Sequence, residues 1–293
     1  MHVEIRLSKE IMINSDVSPE MIQTKPSAEQ SEHDAMVEEV WRTYLTTGKH
    51  VRERRFRHIF RLLPGNPRCN GCYAPFQGAG SSVVKFVYGR RPSSLNPQLC
   101  NVCDEFAKKF QGGAEIELSL LFVDVRGSTA LAEGMNPTEY SKLINRFYKS
   151  ASQVMIQSDA LIDKIIGDQV AGMYVPGFAG AYHSGRAIDA AREILQATGY
   201  GSPGGPWISL GAGVHTGTAF VGSLGTEDGT SDITVLGDTP NTAARLSTNA
   251  GKGEILISES AYESSGLELG DLDKRSLELK GKSEPADVYV MRV

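Results

Sequence analysis

A chain of 293 residues, 40% hydrophobic and 22% charged with a formal net charge of −5, has the length of one full domain plus a smaller module and no overall attraction for nucleic acid or an anionic membrane. The N-terminal MHVEIRLSKEIMINSD lacks the apolar stretch of a secretory signal, and the runs SLLFV and IIGDQVAGMYV are too short to span a bilayer. All four cysteines fall in two Cys-x-x-Cys pairs rather than a disulfide framework, so no membrane insertion is expected and a reducing, cytoplasmic location fits.

Residues 1–33 are polar and aperiodic, and read as a mobile tail. Residues 34–112 read as a helical and four-cysteine module. From Asp34 to Leu63 the apolar residues recur at three and four, which predicts two helices interrupted near Thr46 to Gly48. The second, KHVRERRFRHIFR, carries Lys49, Arg52, Arg54, Arg55, Arg57 and Arg61 against Glu53. It is either a solvated basic face or a surface for an acidic partner or anionic ligand.

Cys69, Cys72, Cys100 and Cys103 supply four soft ligands in two chelating pairs, the set that a closed tetrahedral Zn²⁺ site uses; an iron–sulfur centre and a redox dithiol are the other chemistries open to it. The 27 residues between the pairs leave room for a β-hairpin.

Residues 113–293 form the second domain. Strands are predicted at Glu115–Val125, at Leu161–Ile166 and Val170–Val175 around Gly167-Asp168, and at Trp207–Thr216, Ile233–Leu236, Glu254–Ile257 and Val288–Arg292. Helices are predicted at Pro137–Ile156, Ala179–Thr198 and Asn241–Ser247. This mixture points to an α+β fold, one sheet covered by helices.

Two carboxylates stand out, each of which taken alone is also read as a helix cap or turn former, and the first stands where charge is expensive. Asp124 ends an apolar strand in FVDVRGST, and Asp168 follows Gly167 after LIDKII. Hard Mg²⁺ is bound by such a pair, with substrate phosphates completing its shell. The turn Arg126, Gly127, Ser128 and Thr129 opens toward a helix, and its backbone N–H groups are suited to cradle phosphate.

With these residues in view, the stretch from about Glu115 to the C-terminus resembles class III adenylyl and guanylyl cyclase catalytic domains. FVDVRGST is similar to the family's first metal motif, and IDKIIGDQVAG to its base-reading Lys and second metal Asp. LGAGVHTGTAFVGSLG is similar to its glycine-rich strand and loop, and TVLGDTPNTAARL to its transition-state motif. Asp168 lies 44 positions after Asp124, Lys164 four before Asp168, and Arg245 four after Asn241, a helical spacing that puts Asn241 and Arg245 on one face.

The resemblance implies a ferredoxin-like fold and the conversion of ATP to cyclic AMP and pyrophosphate for intracellular signalling. It implies two Mg²⁺ or Mn²⁺ ions on Asp124, Asp168 and the Val125 carbonyl, Arg245 neutralising charge at the α-phosphate, Asn241 orienting the ribose, and Lys280 contacting the terminal phosphates. Lys164 and Thr234 take the base-reading places. Lys can donate to adenine N1 and Thr can accept from or donate to the N6 edge; guanylyl cyclases are expected to have Glu and Cys-like residues at these places, so the resemblance favours ATP, although many adenylyl cyclases have Asp where this chain has Thr234. The Lys/Thr pairing also resembles a subgroup that includes bicarbonate-responsive enzymes. The loop GTEDGTSD lacks the basic residue common in the family, which leaves the triphosphate clamp incomplete with Arg126 as the substitute.

Because the family splits these residues between two catalytic domains, and this chain has both sets on one, a homodimer with shared sites is expected. The cysteine fragments PRCNGCYAPFQGAG and RRPSSLNPQLCNVC resemble an N-terminal module of some bacterial cyclases, a place for a regulatory partner. Competing readings are a cyclase of GTP or a pyrimidine triphosphate, and a catalytically silent dimer that senses metal or redox state. Retention of both Asp, the Lys, the Asn and the Arg counts against the silent dimer.

Overall fold

The computed structural model describes residues 28–47, 51–225, 231–282 and 284–293, and at 51–54, 163–166 and 231 the backbone only. Four helices come first: α1 (Ala28–Thr47), α2 (Val51–Leu62), α3 (Ala79–Tyr88) and α4 (Asn101–Lys109). The sheet-bearing part follows as β1 (Gly112–Val125), α5 (Ser128–Gly134), α6 (Pro137–Gln157), β2 (Leu161–Ile166), β3 (Gln169–Tyr174), α7 (Pro176–Ala179), α8 (His183–Ala197), β4 (Leu210–Gly225) and β5 (Ser231–Leu236). It ends with α9 (Asp238–Asn249), β6 (Glu254–Ser258), α10 (Glu259–Glu263), β7 (Asp273–Leu277) and β8 (Ala286–Arg292).

Among the described residues eight strands form one sheet in the order β2-β3-β1-β4-β6-β8-β7, with β5 paired to β4, and only the β4–β6 pairing is parallel. Its first four strands, read as β4-β1-β3-β2 with α6 and α8 as crossovers, have the ferredoxin-like arrangement.

β1 is central and apolar on both faces. Leu121, Val123 and Val125 pack with Ile144, Phe147, Ala151 and Met155 of α6 and with α8, while Ile116, Leu118, Leu120 and Phe122 face α1 and α9. A strand covered on both sides has no need of alternating polarity, which accounts for the run LLFV. The stripe of α1 that covers it is Val37, Trp41 and Leu45, and Trp41 Nε1 donates to the Phe110 carbonyl at 2.8 Å. The N-terminal module is thus seated on the sheet.

Several expectations shift. Helix α1 starts at Ala28, inside the stretch read as tail. The segment between the cysteine pairs contains the helix α3 instead of a hairpin. The helix expected from Ala179 is divided at Gly180, whose φ is 85°, into α7 and α8, and β4 runs on to Gly225. No helix among the described residues is long and apolar enough to cross a membrane.

Candidate active site

β1 delivers Asp124 to the sheet's end, where it pairs with Gln169 on one side and Gly211 on the other. The β2–β3 turn folds back onto that end. Val125 N–H donates to the Asp168 carbonyl at 3.1 Å, and the Tyr148 hydroxyl of α6 donates to the Gly167 carbonyl. Asp124 and Asp168 are therefore held at one corner. Burial pushes the Asp124 carboxyl up and Asp168 adds to this, while Arg126 opposes both. Tyr140 and Tyr148 are also raised, by burial and then by the Asp168 charge. A pair of clustered, partly desolvated carboxylates with the Val125 carbonyl beside them is a donor set for a hard divalent cation.

Arg126 supplies the cation seen there: Nη2 lies 2.7 Å from Asp124 Oδ2, and Nη1 donates to the carbonyls of Thr248 at 2.7 Å and Ala250 at 3.3 Å. Its backbone N–H is committed to Ser209 O at 2.8 Å, so the expected phosphate cradle of this turn lacks that donor. Gly127, at φ 73°, caps α5, whose first residues are Ser128 and Thr129. A cavity of about 380 Å³ opens here, walled in part by Arg126, Gly127, Trp207 and Lys252. Lys252, in the turn before β6, had no motif to mark it in the sequence.

A second polar group lies on α9. The helix packs closely on β4 because Gly213 has no side chain: a Cβ there would come within 2.4 Å of Ser247 N and 2.7 Å of Ala243 O. Thr239 Oγ1 donates to Thr218 O at 2.6 Å and secures the first turn. Asn241 is exposed, with Nδ2 donating to Gly237 O at 3.1 Å. Arg245 is half-buried, and its Nη1 is buried with no hydrogen-bond partner.

Beside them Lys282 pairs with Asp238 and holds its carboxyl below the usual range, with Arg245 and His215 adding to the effect. Lys280, the lysine expected here, is exposed. The turn closed by Lys282 N–H to Leu279 O, at 2.9 Å, brings the next lysine onto α9 instead.

Thr234 is 4% exposed, and its Oγ1 is a buried polar atom without a partner. The Lys164 side chain lies outside the described residues, as does the stretch 226–230 of the loop that lacks a basic residue. The backbone at Lys164 pairs with Ala171 just after a bulge in β2.

Cys69, Cys72, Cys100 and Cys103 are all buried and free of disulfides, with sulfur atoms within 4.8 Å of one another. Cys72 and Cys100 Sγ are 3.6 Å apart, near the roughly 3.8 Å edge of a tetrahedron with Zn–S bonds of about 2.3 Å. Cys100 N–H donates to Cys69 Sγ at 3.2 Å, and Arg90 Nη1 lies 3.7 Å from Cys100 Sγ and 3.9 Å from Cys103 Sγ. Hydrogen bonds from Cys103, Cys69 and Cys72 pull Cys100 toward thiolate, while burial pushes Cys69 up. The cluster is suited to a metal ion, and the N–H and guanidinium donors suit an anionic thiolate shell.

Residues 113–292 match the model of the family described as "Adenylate and Guanylate cyclase catalytic domain". An adenylate cyclase of Anabaena cylindrica is 31% identical over 187 residues, covering 60% of this chain and 36% of the relative, and adenylate cyclase 1 of Rhizobium meliloti is 29% identical over 180 residues, covering 59% and 27%. The chain thus spans about a third of the length of these curated relatives. Among solved structures, the guanylyl cyclase Cya2 superposes with a TM-score of 0.53 at 27% identity, covering 61% of this chain and 93% of that one. The adenylyl cyclase CyaB from P. aeruginosa gives 0.52 at 26% identity, covering 60% and 93%. With its family match running from β1 to β8 over this sheet order and these paired carboxylates, the chain belongs to the adenylate and guanylate cyclase catalytic domain family.

Proposed function

We propose that this chain is an adenylate cyclase that converts ATP to 3′,5′-cyclic AMP and pyrophosphate as a homodimer with shared sites. The observation that carries the reading is the Val125 N–H to Asp168 carbonyl bond, which keeps Asp124 and Asp168 at one corner of the sheet. These two residues and the Val125 carbonyl would hold Mg²⁺ or Mn²⁺, which when bound makes the ribose 3′-hydroxyl more acidic and offsets charge on the attacking and leaving oxygens.

Arg245, with an unpartnered buried Nη1, would donate to the α-phosphate as charge builds there, since a guanidinium keeps its charge and fits phosphate geometry. Asn241, one turn earlier on the same face, orients the ribose. Lys280, Lys282 and Lys252 are the cations proposed for the terminal phosphates, whereas the Arg126 guanidinium is engaged by Asp124 and by the carbonyls of Thr248 and Ala250. The unpartnered Thr234 hydroxyl supports recognition of the adenine N6 edge, with Lys164 expected at N1.

The α9 group and the carboxylate corner serve opposite protomers in this reading. Arg126 ties the C-terminal end of α9 to the carboxylate corner, whereas Asn241 lies seven residues earlier, roughly 10 Å along the axis. The four cysteines would hold a structural Zn²⁺, and the N-terminal module is the place for a regulatory partner. Product cyclic AMP serves intracellular signalling.

The test is to incubate purified protein with Mn²⁺ and an equal mixture of nucleoside triphosphates and to follow products by mass spectrometry. Cyclic AMP should dominate, and Asp168→Ala should abolish it. Dominant cyclic GMP would move the reading to the activity named for Cya2, and no cyclic product would refute it.

A further inference from the structure

Arg57 was one of six basic residues in a helix whose face had no assigned task, yet it is 1% exposed. Its guanidinium lies over the rings of Tyr73 and Phe178, 4.1 and 4.2 Å from their centroids. It donates to the Gly71 carbonyl, to the Tyr73 hydroxyl, and to the carbonyls of Asp159 and Ala160 at 3.3 and 3.1 Å. The Tyr73 hydroxyl in turn donates to the Ala160 carbonyl. Burying a guanidinium against carbonyls and rings is costly, and the arrangement persists only if all its acceptors stay in place.

Those acceptors belong to two places. Gly71 sits between Cys69 and Cys72, and Tyr73 follows Cys72 at φ 66°, a left-handed conformation held by its N–H to the Cys69 carbonyl at 2.9 Å. Asp159, at φ 67°, and Ala160 lead directly into β2, the strand of Lys164. The Asp159 carboxylate is held by Arg61 at 3.3 Å and Arg186 at 2.8 Å. The same knuckle also faces the second base-reading strand: Asn70, Gly71 and Leu99 line a cavity of about 20 Å³ together with Ile162, Met173 and Ile233, the last adjacent to Thr234.

We infer that Arg57, bridged by Tyr73, is a positioning residue that clamps the four-cysteine knuckle to the start of β2, so that the metal-binding module forms the outer support of the base-reading strands and sets nucleotide affinity and base choice. This deepens the nucleotide-cyclase reading and rests on it. Leu161 to Lys164 spans roughly 10 Å of extended backbone, short enough for a shift at Ala160 to reach the base-reading position.

The decisive comparison uses wild type, Tyr73→Phe, which keeps the ring and removes the bridging hydroxyl, and Arg57→Lys, which keeps the charge and loses the fork. Hydrogen exchange of a peptide covering 159–166 should rise about tenfold in both variants while β6 and β8 stay at wild-type protection. KM for ATP should rise about fivefold with kcat within about twofold, and the preference for ATP over GTP should fall. Metal content by elemental analysis should be unchanged.

Wild-type exchange at 159–166 in both variants overturns the clamp, as does a rise spread evenly over the whole sheet or a loss confined to kcat. Should Tyr73→Phe fail to fold, Arg57→Lys and wild type stripped of metal by a chelator carry the same exchange comparison. A wild type that makes no cyclic nucleotide would refute the proposed function, and the exchange measurement would still decide the clamp.

Discussion

Arg126 Nη2 lies 2.7 Å from Asp124 Oδ2, so the carboxylate that would hold metal already carries a cation supplied by a residue two positions on. A divalent cation held by Asp124 would have to compete with this guanidinium. Arg126→Gln should lower the Mn²⁺ concentration for half-maximal activity roughly three- to tenfold, the range of a charge-assisted hydrogen bond partly screened by solvent. A metal titration at saturating ATP reads this directly. If KM for ATP rises instead and metal dependence stays put, Arg126 acts on phosphate.

A site shared across a two-fold axis has a statistical signature. Asp124→Ala and Arg245→Ala proteins should each be nearly inactive alone. Mixed in equal amounts and allowed to exchange subunits, half of the dimers are mixed and each keeps one intact site, so about one quarter of wild-type activity should return. Activity that never rises above that of the single variants removes the shared-site arrangement.

His215 links stability to pH near the same cluster. Burial, aided by the Lys282 charge and opposed by Asp238, brings its pKa down to about 4, and Nδ1 is 2.9 Å from Ser258 Oγ. The unfolded chain binds the proton near 6.5 and the folded chain does not. The stabilisation is therefore complete above about pH 6.5 and is lost as pH falls toward 4, by up to about 3 kcal/mol. His183, lowered chiefly by burial, acts in the same direction. Urea midpoints across this window should fall steeply for wild type and less steeply for His215→Gln.

The sequence made the catalytic half of the fold legible because its strands and helices obey simple periods: the LLFV run of a doubly covered strand, the stripe of α6, and a turn residue at Gly167. Side-chain partnerships across elements were not legible. Arg57 has the same local context as the exposed Arg55, and only the folded chain shows that it is enclosed. Lys280 and Lys282 differ by a turn whose direction no local pattern encodes. Helix α3 was missed because its first turn, Ala-Gly-Ser-Ser, is rich in weak helix formers and it leaves Val83, Phe86 and Val87 exposed, which blurs the stripe that a helix usually shows. Strand β7, DKRSL, is an edge strand with no buried residue to give it an alternating signature.

Gly213 offers the sharpest test of how α9 is seated. An added methyl would meet Ser247 N at 2.4 Å, Ala243 O at 2.7 Å and Leu246 Cβ at 2.7 Å; the first two are backbone atoms of the helix that cannot rotate away. Relief requires α9 to lift from β4. Overpacking of this kind costs about 1–3 kcal/mol, which for a domain of this size lowers Tm by a few degrees, about 2–4 °C per kcal/mol. The helix carries Asn241 and Arg245, whose placement would move with it. Gly213→Ala should therefore remain folded at 25 °C by circular dichroism while kcat falls about 100-fold, the scale expected when a reacting geometry is displaced by about 1 Å. A variant with reduced Tm and wild-type kcat would mean that the position of α9 does not limit the chemistry.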